Sequence, residues 1–92
     1  MELTGKTTNE LTRVDGNFRI TYEVVRESGK LTWIRLRIQD ISLLSEVGNG
    51  YYNANLGSIS INYSKADLLS SEQRIEISQE FLSLVNKELE EV

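Results

Sequence analysis

The C-terminal stretch constrains this chain more than any other part of it. Ile75, Ile77, Phe81, Leu82, Leu84, Val85, Leu89 and Val92 recur at helical spacing. At about 100° per residue they fill about half of the wheel. Glu72, Glu76, Glu80, Lys87, Glu90 and Glu91 lie opposite. Ser70 followed by Gln73 reads as a capping box, and Glu72 suits the positive end of a helix dipole. The spacing predicts a helix over 71–91. A helix that is apolar over half its circumference must lie on another element, and in 92 residues that element is most economically a sheet.

The sheet is written upstream. Phe18, Ile20, Tyr22 and Val24 alternate with Arg19, Thr21, Glu23 and Val25. Ile34, Leu36 and Ile38 alternate with Trp33, Arg35, Arg37 and Gln39. Glu27-Ser28-Gly29 separates the two runs and reads as a three-residue hairpin loop with Gly29 left-handed. That loop pairs Tyr22 with Ile34, Ile20 with Leu36 and Phe18 with Ile38, gathering the apolar alternates on one face. Asp15-Gly16 is a hairpin dipeptide that would fold 9–14 back onto 17–22. Ser58 to Tyr63 alternates as a half-buried strand, and Ser64-Lys65-Ala66-Asp67 suits one short helical turn. Glu46 to Gly50 reads as loop by composition, and Tyr51 to Leu56 as a short edge strand or ordered loop. The expected fold is therefore a single α+β domain over 1–92. It is an antiparallel β-meander of three to four strands followed by one C-terminal amphipathic helix packed on one sheet face.

Several function classes are disfavoured by what is missing. There is no cysteine and no histidine, which removes thiol chemistry, the commonest acid–base side chain and the commonest transition-metal ligand. The expectation is no catalytic residue, no metal and no cofactor. Glu72, Glu76 and Glu80 fall at i, i+4 and i+8 on the polar side of the helix and read as a solvated face. The polar N-terminus has no apolar h-region and no apolar run exceeds two residues, so a cytoplasmic protein without membrane attachment is expected. Net charge is −4, but unevenly placed. Residues 1–37 carry seven Lys or Arg against five Asp or Glu (+2), and residues 38–92 carry three against nine (−6).

Two groups of residues invite recognition rather than catalysis. On the outer face of the hairpin, Arg19, Val25, Leu31, Trp33, Arg35 and Arg37 form a candidate interaction surface, since Trp and Arg are enriched at interface hot spots. The alternative is that Trp33 is covered by the N-terminal residues or by the 41–57 segment. Asn49, Tyr51, Tyr52, Asn53 and Asn55 form a candidate recognition loop, with the Gly, Asn and Tyr chemistry of adaptable binding surfaces. No Gly-x-x-x-x-Gly-Lys-Ser/Thr string follows, so it is not a phosphate loop. The expected function is a small protein-interaction module or regulator. It would self-associate as a homodimer through the hairpin outer face or a sheet edge, or bind another protein partner. The alternative is a module binding nucleic acid or another anion through the Arg/Trp face, which a pI near 4.8 opposes.

The helix reading carries its own test. With Phe81 at the centre of the apolar arc, facing Ile20, Leu36 and Ile61, Phe81→Ala should cost about 3–5 kcal/mol in urea-induced unfolding. A loss near zero would mean that the helix docks elsewhere.

Overall fold

The computed structural model describes residues 5–90. Its strands follow one another as a meander, each antiparallel to the next, in the order β1-β2-β3-β4-β5. They are β1 (Lys6–Asp15), β2 (Phe18–Glu27), β3 (Lys30–Asp40), β4 (Ser45–Asn53) and β5 (Ser58–Asn62). A 3-10 turn (Ala66–Leu68) leads into α1 (Ser71–Glu90). The capping box forms as written: the Gln73 backbone N–H donates to Ser70 Oγ at 3.0 Å, and the Ser70 N–H to Gln73 Oε1 at 3.0 Å. The sheet therefore has five strands, where the sequence suggested three to four.

The extra strand is β4, which composition disguises as a loop. Gly48, Asn49, Gly50 and Asn53 are all poor strand formers. Its glycines are instead places where other groups press on the backbone. A Cβ at Gly50 would lie 3.2 Å from both Leu36 Cβ and the Phe81 ring. One at Gly48 would lie 3.0 Å from Ile38 and 3.1 Å from Tyr63. Glycine here lets the helix and its neighbours approach a strand more closely than any side chain would permit.

The β2–β3 hairpin keeps its expected faces but not its expected register. Ser28 and Gly29 both have positive φ (52° and 80°), as a two-residue type I′ turn requires. Such a turn alone would set apolar residues against polar ones. A bulge corrects this: Arg26 pairs with Leu31 and Val25 with Trp33, leaving Thr32 as the extra residue. Beyond it Val24 pairs with Ile34, Tyr22 with Leu36 and Ile20 with Ile38, two residues from the expected register and on the same face. A second bulge in β4 leaves Val47 unpaired between Glu46 and Gly48 and turns it into the core.

The core lies between that face and α1. Ile20, Ile34, Leu36, Ile38, Val47, Ile77 and Phe81 are fully buried, with Tyr22, Val24, Tyr52 and Val85 nearly so. The Phe81 ring stacks on Tyr22 at 6.2 Å between centroids. The apolar arc of α1 is wider than its contact: Ile75, Leu82 and Leu89 remain exposed along one flank. Among the described residues no helix is long and apolar enough to cross a membrane. Gly50→Val should lower unfolding stability by about 1–3 kcal/mol, because Phe81 and Leu36 leave no room for a side chain. Neutral behaviour in urea denaturation would contradict the close approach.

Candidate binding face

α1 covers one side of the sheet. The opposite side is patterned by the register into rows that run across the strands. One row is Thr8–Val25–Trp33–Asn53–Ser58. The next is Glu10–Glu23–Arg35–Tyr51–Ser60, and the third Thr12–Thr21–Arg37–Asn49–Asn62. The two groups singled out in the sequence thus converge on one surface. Trp33, Arg35 and Arg37 of β3 stand opposite Asn53, Tyr51 and Asn49 of β4.

Around Trp33 the arrangement is aromatic and cationic. The Arg35 guanidinium lies 5.0 Å from the indole centroid and the Lys6 ammonium 5.9 Å. The Tyr51 ring stands 6.0 Å away, tilted by 32°. Each cation–aromatic contact is worth about 0.5–1 kcal/mol at an exposed site and holds the indole in place. Beside it, Arg35, Arg37, Glu46, Asn49, Gly50 and Tyr51 line a shallow hollow of about 230 Å³. Arg19 extends the cationic strip, diagonal to Arg37 across the β2–β3 pair.

Not every residue expected on this surface is available there. Val25 is only 1% exposed, hemmed between Thr8 and Trp33 in paired positions. Leu31 is carried to the helix side by the Thr32 bulge, where it packs against the core. Tyr52 points the same way and is buried. Asn55 sits in the β4–β5 turn, and the Asn53 side-chain carbonyl accepts the N–H groups of Asn55 and Leu56 at 3.0 and 3.2 Å. Asn53 thus closes that turn, whereas Asn49 and Tyr51 are exposed. The outer face loses its aliphatic part and keeps its aromatic, cationic and amide part. Lys6 does not stand out in the sequence, because only the β1–β2 pairing brings it to Trp33.

The remaining charges hold the helix. Arg13 Nε donates to both Glu80 carboxylate oxygens (2.9 and 3.0 Å), and Arg26 donates to the Glu88 carbonyl at 2.9 Å and carboxylate at 3.3 Å. Glu80 is therefore a strut rather than a member of a solvated face. The Tyr22 hydroxyl also donates to it. The ion pairs among the described residues belong to Arg13 and Arg26, and Arg19, Arg35 and Arg37 take part in none of them. No group of three or more acidic residues among the described residues is placed to hold a metal ion. A comparison of the chain with protein-family models, curated proteins and solved structures finds no match.

Burial pushes the Tyr22 hydroxyl well above the usual phenol range, and the adjacent Glu80 carboxylate adds to the shift. A raised folded-state pKa gives stability that is complete below the unfolded value of about 10 and lost above it, as the unfolded chain sheds its proton first. Urea unfolding between about pH 9 and about pH 11 should show a smaller alkaline loss for Tyr22→Phe than for the unsubstituted protein. Identical losses would remove Tyr22 from the account.

Proposed function

We propose that the protein is a binding module that recognises a carboxylate-bearing protein partner through the face of the sheet opposite α1. The observation carrying this reading is the paired ladder Trp33–Asn53, Arg35–Tyr51 and Arg37–Asn49. Arg, Trp and Tyr are the side chains that dominate interface energetics, and Asn and Ser supply adaptable hydrogen bonds around them. Arg19, Arg35 and Arg37, outside the ion pairs among the described residues, are available for bidentate contacts with carboxylates. The protein acts on this reading by association rather than by catalysis, and a cytoplasmic setting fits a chain with no disulfide to form.

A second reading has its own support. Trp33 and Tyr51 flanked by Arg35 and Lys6 could stack bases while the cations meet phosphates. Against it, Glu10 and Glu23 stand in the same row as Arg35, and Glu46 lines the same hollow. A phosphate backbone would meet these carboxylates as well as the cations.

Trp33 is the sole tryptophan, so its emission reports on this face directly. Single-stranded DNA and RNA oligonucleotides should leave it unchanged at physiological salt. Crosslinking in extract of the source cell should yield a protein adduct that Trp33→Ala and Arg35→Glu abolish and Glu72→Ala does not. Quenching by oligonucleotides with a steep salt dependence would transfer the face to nucleic acid. An adduct indifferent to Trp33 and Arg35 would refute the assignment.

A further inference from the structure

We propose that the protein forms a two-fold homodimer in which β5 pairs antiparallel with β5 of a second copy. The proposal concerns the sheet edge and is independent of what the outer face binds.

The two edges of the sheet are built differently. β1 carries Lys6, Glu10, Arg13 and Asp15, the kind of charge that keeps an exposed edge from pairing with another chain. β5 is Ser58-Ile59-Ser60-Ile61-Asn62, without a charge, and the chain contains no proline anywhere. The uncharged stretch extends from residue 47 to residue 64, in a protein whose residues are 26% charged. Its backbone edge is short but otherwise undefended.

The surface next to that edge is apolar. Ile59 pairs with Tyr52 and so faces the helix side, yet it is 43% exposed. On α1, Ile75, Leu82 and Leu89 are 57%, 49% and 47% exposed. Seven-residue spacing keeps these three within about 40° of one another on the helix. Their stripe lies on the β5 side. Ser78 meets the Tyr63 hydroxyl just beyond β5 at 2.7 Å, whereas Glu76 and Glu80 on the other flank meet Arg13 of β1.

Two features identify the occupant as another copy. The first is electrostatic. Two copies at net −4 repel one another overall, and pairing β5 with β5 brings no like charges together, because residues 47–64 carry none. The second is self-complementarity. A two-fold axis through Ser60 sets Ile59 opposite Ile61 of the second copy, with both pairs on the helix side and Ser60 facing its own counterpart. A one-residue slip would oppose Ile with Ser, so the alternation selects the symmetric register. A five-residue edge supplies less area than the roughly 800 Å² per partner of a standard stable interface, so the dimer is concentration-dependent rather than permanent.

Sedimentation equilibrium across the micromolar to millimolar range tests this on the intact chain. Ser60 is exposed and faces away from the core, so charged residues there should leave the monomer fold intact, with circular dichroism as the check. The unsubstituted protein should move from monomer toward dimer, and further at high salt, which screens the repulsion. Ser60→Lys alone and Ser60→Glu alone should each stay monomeric, and an equimolar mixture of the two should recover the dimer. Trp33→Ala should leave the mass unchanged, which separates this edge from the outer face. A protein monomeric throughout the range would overturn the proposal. So would a dimer that both charged variants preserve, or two monomeric variants that fail to recover on mixing.

Discussion

The ring of Phe81 rests on the backbone of β4 at Gly50, and the rest of the molecule is arranged around that contact. It fixes how close α1 comes to the sheet and seats Ile77 and Val85 among the strand residues below. Arg13 and Arg26 then tie the middle and the C-terminal end of α1, through Glu80 and Glu88, to β1 and β2. With one described helix for a sheet of five strands, one face is covered and the other left to solvent.

Much of this architecture is legible in the amino-acid sequence. The helix, its capping box, the β2–β3 hairpin, the short turn before α1 and β5 follow from periodicity and turn chemistry; a β1–β2 hairpin does too, but it turns at Gly16-Asn17 and pairs two residues from the alignment of 9–14 on 17–22. What composition hides is β4. Gly48, Asn49 and Gly50 look like punctuation, and only the approach of Phe81 and Tyr63 explains the two glycines as strand residues. Local pattern cannot reveal a requirement imposed by a helix thirty residues later in the chain. The hairpin register departs from expectation for a related reason. A type I′ turn plus a bulge preserves the same alternation as a longer loop, so the pattern constrains the faces and not the pairing.

The candidate site divides along the same line. Trp33, Arg35 and Arg37 can be read as neighbours because they alternate within one strand. That Tyr51 and Asn49 stand beside them follows only once β4 is a strand. Leu31 leaves the group because the bulge at Thr32 changes its side. Val25 stays on the face but is hidden by its neighbours. The layering divides the arginines in the same way, with Arg13 and Arg26 turned to the helix and paired with Glu80 and Glu88, and Arg19, Arg35 and Arg37 on the outer side.

The central claim is that residues 45–53 are a strand that receives Phe81 on one side and completes the Trp33 face on the other. Solution NMR tests it most directly, through cross-strand contacts and amide exchange in this segment. The account predicts nuclear Overhauser contacts between the backbones of Arg35 and Tyr51 and of Arg37 and Asn49, with slow exchange at the amides facing β3. Random-coil shifts and fast exchange from Glu46 to Asn53, with no contact to β3, would contradict it.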